Sequence, residues 1–258
     1  MKGRRLFPHA RRLAALLAAL LCAPFFSPRP SRAAEASLNA EELKVYSPGV
    51  TDGEREAEYR GFATAGGQQG FAFSASYSPT SWWESEAYEV LHRDPLGPLV
   101  GDRVQIEERF QLAPAGEHWA DPGLIVEAGI PERAGDPAEE ELTPIVEKQF
   151  GRLLVTLNPS LEWQSGSHYA PGTDFRYAAK IEYLLNSYFA PAGEFYGEPG
   201  VIGNFPGARE QTHLAGPAFY GTWRPGARRA INYSAALLFG LNGATPVRAL
   251  VTRLEFEF

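Results

Sequence analysis

Charged side chains occupy alternate positions in several segments of this sequence. In segment 174–185, Arg176, Lys180 and Glu182 alternate with apolar residues such as Tyr177. A period of two places the two kinds of residue on opposite faces of a β-strand. A strand face that carries both charge signs can line a hydrated path that selects solutes, or it can form a packed interior of ion pairs. The sequence leaves both interpretations open.

The same phase recurs along the chain, and its charged members are the candidate lumen-lining residues. Both charge signs occur in similar numbers among them, and Arg109 and Arg176 are expected to matter for selectivity. The candidates are Glu56, Glu58, Arg60, Arg103, Glu107, Arg109, Glu162, Arg176, Lys180, Glu182, Arg253 and Glu255, and Glu147 and Glu257 share their phase.

Catalysis would need a nucleophile or an acid–base pair, for which the histidines are the first candidates. His92 and His168 are expected in external loops near Asp102 and Asp174, as a hydrolase at the rim would require. No HExxH or GxSxG motif accompanies them, and solvated loop histidines are the more common case. A rim hydrolase would need His168 or His213 beside a Ser or Asp. We expect no enzyme activity, no cofactor and no metal centre.

A run of glutamates, Glu139 to Glu141, follows Asp136 in a predicted external loop. Carboxylate oxygens suit calcium, which could bridge lipopolysaccharide at such a loop. A charge run on a loop is more often simply solvated.

From Glu54 onward the chain divides into about twelve alternating segments separated by turn residues. Such segments predict an all-β fold, a single antiparallel barrel. Their spans are 54–63, 70–77, 82–91, 103–112, 119–130, 141–149, 153–163, 174–185, 189–196, 211–223, 229–241 and 247–258.

The links between the segments are alternately short and long through the middle of the chain. Tight turns on one side of a membrane and longer loops on the other are typical of outer-membrane barrels. Aromatic residues such as Trp82, Trp83 and Trp223 lie beside short links, as expected of a girdle at the membrane boundary. The predicted short links are 78–81, 113–118, 150–152, 186–188 and 224–228; the long ones are 92–102, 131–140, 164–173 and 197–210.

Four prolines lie inside these segments, where each removes a donor from the strand ladder. A closed barrel has no free edge to accommodate that loss, so we expect bulges or strand ends near them. They are Pro144, Pro159, Pro191 and Pro217.

The last segment ends with Leu254, Phe256 and Phe258 on one face and Glu255 and Glu257 on the other. This pattern resembles the C-terminal signature of bacterial outer-membrane β-barrels. The resemblance implies that Phe256 and Phe258 form the assembly signal and that the barrel-assembly machinery is a partner.

Two further stretches resemble an uncharacterised group of exported barrel proteins described as transporters. They are VYSPGVTDGEREAEYRG at 45–61 and LLFGLNGATP at 237–246. The resemblance implies porin-like transport and supplies no catalytic residues.

The N-terminus has the pattern of a cleaved secretory signal peptide at residues 1–34. A basic start precedes an apolar run from Leu13 to Phe26, and small residues follow. Cleavage would remove Cys22, the single cysteine. Residues 35–53 show no period and are expected to form a periplasmic tail or a plug segment in the barrel, which spans 54–258.

Removal of residues 1–34 takes away seven basic residues and no acidic ones, so the formal charge falls from −7 to −14. An acidic exported chain would repel nucleic acid phosphates, so we expect no nucleic acid partner.

We expect a location in the bacterial outer membrane, in contact with lipid and lipopolysaccharide. The expected function is passive transport of a small solute of unknown identity; the alternatives are a closed structural or adhesion-type barrel acting through its external loops, and the rim hydrolase.

Overall fold

The barrel is seen in a computed structural model that describes residues 38, 40, 42–166, 169, 171–226, 229–243, 245 and 248–258. Within this range twelve β-strands close into one antiparallel barrel, which confirms the predicted fold class and strand number. The described part of the chain holds no helix long and apolar enough to cross a membrane. The predicted signal peptide lies outside the described residues.

The strand boundaries agree with the predicted segments to within a few residues at most ends. The strands are β1 Arg55–Thr64, β2 Gln69–Thr80, β3 Trp83–Arg93, β4 Val100–Gln111, β5 Asp121–Pro131, β6 Ala138–Phe150, β7 Leu153–Ser165, β8 Asp174–Tyr183, β9 Ala190–Val201, β10 Thr212–Gly226, β11 Arg229–Gly240 and β12 Arg248–Glu257.

The first and last strands close the barrel. β1 and β12 pair antiparallel, with Glu56 opposite Glu257 and Thr64 opposite Ala249. Every other pair joins strands that follow each other in the chain. We call the end of the barrel that contains Arg55 and Glu257 the turn end, and the opposite end the loop end.

Side chains alternate between the two faces of the barrel wall. In β4, Val104 and Ile106 are 47% and 52% exposed on the outer face, whereas Gln105 and Glu107 are 2% and 1% exposed on the inner face. An apolar outer face and a polar inner face are what a barrel in lipid requires. Most of the charge in the strands therefore lies inside the barrel.

The links keep the expected alternation of short and long except at 112–120, and their lengths differ from those predicted. Strands extend into the four predicted long loops, which shrink to 94–99, 132–137, 166–173 and 202–211. The first and last loop-end links are 65–68 and 241–247. At the turn end, the link 112–120 is longer than predicted. Ladder pairing, which satisfies backbone groups, continues past the point where the alternation of residue types fades.

The prolines lie mostly at interruptions in the ladder. The β6–β7 ladder lacks pairs between Leu142/Leu161 and Val146/Leu157, the stretch that contains Pro144 and Pro159, and the register is the same on both sides of this gap. The β10–β11 register likewise lacks partners at Gly216 and Pro217, and Pro191 is the second residue of β9. Pro144, Pro159 and Pro217 therefore lack a partner on one neighbouring strand and keep one on the other, and Pro191 lies near a strand end.

One outward-facing charge is held by polar neighbours. Glu108 interrupts the apolar face of β4, and its carboxylate accepts hydrogen bonds from Trp83 Nε1 at 2.5 Å and Ser85 Oγ at 2.9 Å. Exposed aromatic side chains surround this end of the barrel, as the sequence predicts. They are Trp82, Trp119, Phe150, Tyr188, Phe189, Trp223 and Phe258.

The interruption near Pro217 makes a specific prediction for stability. A Cβ atom at Gly216 would overlap the backbone of Leu237 in β11, whereas one at Gly193 in β9 would meet no atom closer than 3.7 Å. We expect Gly216→Ala to destabilise the barrel by about 1–3 kcal/mol, because a rigid backbone must move. Urea unfolding of the refolded barrel, followed by its heat-modifiable gel mobility, measures this. Equal stability of Gly216→Ala and Gly193→Ala would contradict the packing described.

Candidate functional site

The inside of the barrel is occupied by the N-terminal segment, defined here as residues 42–50. It leads to β1 at the turn end, where the Val50 N–H donates to Gln111 Oε1 at 2.9 Å. Further along, its side chains enter the barrel core, in which Leu43 and Val45 are buried. The preceding Leu38 packs in the same cluster as Phe62, Leu214 and Leu238. The segment therefore runs through the lumen from the turn end toward the loop end.

Side chains of the wall satisfy the backbone of this segment. Asn158 acts at two points, since its Oδ1 accepts from Tyr46 N at 2.7 Å and its Nδ2 donates to Tyr46 O at 3.1 Å. Arg109 Nη1 donates to Ser47 O at 3.2 Å. A buried chain with no strand partner needs such bonds, because an unpaired backbone group is costly. Asn158 comes from the stretch of β7 where the ladder to β6 is interrupted.

Arg253 of β12 is the strongest link between the segment and the wall. Its guanidinium donates to Leu43 O, with Nη2 at 2.6 Å and Nε at 3.1 Å. It also lies 3.3 Å from the carboxylate of Glu194, whose exposure is 0%. Tyr196 and Tyr220 donate their hydroxyls to the same carboxylate. One buried cation thus joins three strands and the N-terminal segment.

A second network surrounds the middle of the segment. Arg60 is 1% exposed; its guanidinium bonds Glu58 at 2.9 Å, Glu86 at 3.0 Å and the Tyr46 hydroxyl at 3.2 Å. Lys44 Nζ lies 2.6 Å from Glu58. Wall carboxylates therefore hold one cation from the wall and one from the segment.

All of the predicted lumen residues belong to the inner phase of their strands. The structure brings most of them together as ion pairs. Arg176 contacts Glu162 and Glu42, Lys180 lies 3.0 Å from Glu182, and Arg103 contacts Glu139. Their role in selecting a solute remains a prediction, as does the role of Phe256 and Phe258 on the outer face of β12.

The inner phase as a whole is more acidic than the predicted set, in which both charge signs occur in similar numbers. Further glutamates face inward, whereas Arg224, exposed at the turn end beside Glu257, is the cation that the described strands add. The sequence pattern missed these glutamates because their segments mix apolar, small and charged residues in both phases. They are Glu84, Glu86, Glu127, Glu139, Glu141, Glu194 and Glu198.

Two cavities flank the N-terminal segment. The turn cavity has a volume of about 500 Å³ and is lined by Glu56, Lys180 and Glu255 among others. The loop cavity has a volume of about 70 Å³ and contains Gln105 in its lining. Lys44 and Tyr46 line both cavities. The segment is therefore the constriction between the two cavities.

At the mouth of the turn cavity, carboxylate oxygens of Glu54, Glu56 and Glu257 lie within 4.8 Å of one another. Asn232 Nδ2 donates to Glu257 at 2.6 Å and to Glu255 at 2.5 Å. Burial raises the pKa of Glu54, which precedes β1, and the nearby charge of Glu257 raises it further. Such a group can share a proton or a cation with its neighbours.

The structure corrects the expected placement of the histidines and of the acidic run. His92 lies in β3, and its Nδ1 is 3.4 Å from Asp102 Oδ1. The His213 ring contacts the Tyr177 hydroxyl at 3.1 Å and Gln211 at 3.0 Å, partners that supply no nucleophile–base pair. His168 lies outside the described residues.

The acidic run belongs to β6 and does not form a loop. Alternation points Glu139 and Glu141 inward and Glu140 outward, so the three carboxylates do not converge on a calcium ion.

Comparison with known proteins supports the fold. No family model and no curated protein matches the chain. Among solved structures, a NanC porin in a rhombohedral crystal form matches with a TM-score of 0.55 and 11% sequence identity, covering 78% of this chain and 98% of that chain. The chain is thus similar in fold to a porin.

The Arg253 network predicts a large and partly reversible loss of stability. Arg253→Ala would leave the Glu194 carboxylate buried without its cation, which typically costs about 3–5 kcal/mol. Glu194→Gln added to Arg253→Ala should recover part of this cost by removing the unpaired charge. Urea unfolding of both variants tests the prediction, with the outward-facing Lys148→Ala as the control. A double variant no more stable than Arg253→Ala would contradict it.

Proposed function

We propose that the chain is an outer-membrane channel that admits small solutes through its charged lumen, with the N-terminal segment as its constriction. The observation that carries the proposal is the pair of cavities with charged side chains in their linings on either side of the segment, inside a closed barrel. A displacement of residues 42–50 together with the buried Leu38 and Ala40 that precede them would join the two cavities into a hydrated path.

The outer face supports the membrane location. Apolar side chains cover it, and exposed aromatic residues surround the turn end, as at a membrane boundary. In this proposal the turn end faces the periplasm and the loop end faces outward. Lipid and lipopolysaccharide would contact the outer face, and Phe256 and Phe258 would be presented to the barrel-assembly machinery.

A closed structural barrel that acts through its loops is the second candidate. The hydrogen bonds from Asn158 and Arg253 to the backbone of the N-terminal segment favour the closed barrel, because they oppose displacement of the segment. The rim hydrolase has the His92–Asp102 contact of 3.4 Å in its favour. It has weaker support than the other two candidates, because the His213 ring contacts Tyr177 and Gln211 and, among the described residues, no Ser or Asp.

A reversible lock on the segment separates the first two candidates. A Cβ atom at Gly123 would lie 2.8 Å from the Cβ of Pro48. A disulfide needs about 3.8 Å between such atoms, so a shift of about 1 Å would let Pro48→Cys and Gly123→Cys form one. The single natural cysteine, Cys22, belongs to the predicted signal peptide and does not compete.

We expect the unaltered barrel to give discrete conductance steps in a planar bilayer. The oxidised double-cysteine barrel should be silent, and a reductant should restore its steps, because reduction frees the segment. Each single-cysteine variant should conduct with or without reductant. An unaltered barrel that is folded by gel mobility yet always silent would contradict the channel and favour the closed barrel.

A further inference from the structure

The positive charges of the lumen wall are already engaged. Arg109 lies 2.6 Å from Glu84, and Arg253 lies 3.3 Å from Glu194. Lys180 lies 3.0 Å from Glu182. A guanidinium or ammonium group held this closely by a carboxylate has little field left to attract an anion. The wall therefore offers an anion few free partners.

Carboxylates remain in excess in the turn cavity. Glu54, Glu56 and Glu255 have no Lys or Arg nitrogen within 4.0 Å among the described residues. Asn232 supplies neutral donors to Glu255 and Glu257. The exposed Arg224 lies 3.7 Å from Glu257, whereas Glu255 receives only the neutral amide within the described part of the chain. Charged groups withdrawn from bulk water need counter-charges. In a cavity of about 500 Å³, these can come from mobile cations.

The loop cavity contains an independent sign of a missing partner. Gln105 is 2% exposed, and its Oε1 has no hydrogen-bond donor. Its Nε2 already donates to Glu127 at 2.5 Å, so turning the amide over would break that bond. A buried carbonyl oxygen without a donor is costly, and a cation or an ammonium group entering the cavity would satisfy it. Glu127 and Glu141 line the same cavity.

We infer that the lumen favours cations over anions, and that its solutes are small inorganic or ammonium-bearing cations. This inference rests on the proposed channel and names its substrate class. Excess carboxylates along both cavities raise the local concentration of cations, as acidic side chains do in cation channels.

The reversal potential in a potassium chloride gradient tests the inference directly. The potassium-to-chloride permeability ratio of the unaltered barrel should exceed one. The double variant Glu56→Gln, Glu255→Gln should bring the ratio toward one. Glu140→Gln, which removes a carboxylate from the outer face, is the matched control and should leave the ratio unchanged. A ratio below one in the unaltered barrel would overturn the inference while leaving the channel intact.

Thermal unfolding provides a second readout that does not depend on conductance. Spermidine should raise the midpoint of the unaltered barrel, since a ligand that binds the folded state stabilises it, and citrate should not. The shift should shrink in the Glu56→Gln, Glu255→Gln variant and persist in Glu140→Gln. If the barrel gives no conductance steps but shows these spermidine shifts, the proposed channel is refuted and the cation site is supported. Equal spermidine-induced shifts of the unfolding midpoint in the unaltered barrel, the Glu56→Gln, Glu255→Gln variant and Glu140→Gln would overturn the inference.

Discussion

Buried carboxylates on the inner wall are the constraint on which the rest of this structure depends. Glu58, Glu86 and Glu194 are each almost fully removed from solvent. Each must be paired, because an isolated buried charge is far more costly than an ion pair. The wall supplies Arg60 and Arg253 as partners, and Lys44 of the N-terminal segment supplies another. These ion pairs therefore hold the N-terminal segment against the wall.

The N-terminal segment depends on the same network and completes it. A barrel of twelve strands is wider than the eight-stranded barrels that side chains fill, so its lumen has room for water or additional chain. Residues 42–50 supply chain along part of the lumen, and the cavities on either side leave room for water. The bonds that satisfy the segment's backbone come from side chains such as Asn158. Side-chain bonds of this kind can be exchanged for water one at a time, unlike a continuous strand ladder.

The strands were largely predictable from the sequence, because one-sided burial imposes a period of two. In β8, for example, charged and apolar residues alternate. This alternation assigns Arg176, Lys180 and Glu182 to the inner face of the barrel. Glu194 was missed because its strand carries glycines and prolines on the outer face and gives no clear alternation. The choice between tail and plug for residues 35–53 was also beyond the sequence. That choice depends on contacts such as Asn158 with Tyr46, which are 112 positions apart in the chain.

The position of the N-terminal segment is the central claim of this account, and a zero-length cross-link on the unaltered protein tests it most directly. Lys44 Nζ lies 2.6 Å from the Glu58 carboxylate and 3.8 Å from that of Glu86. Carbodiimide treatment of the folded barrel, followed by mass spectrometry of its peptides, should yield an amide that joins Lys44 to one of these residues. A Lys44 that forms no such cross-link and reacts freely with amine reagents in the folded barrel would place the segment outside the lumen and contradict the account.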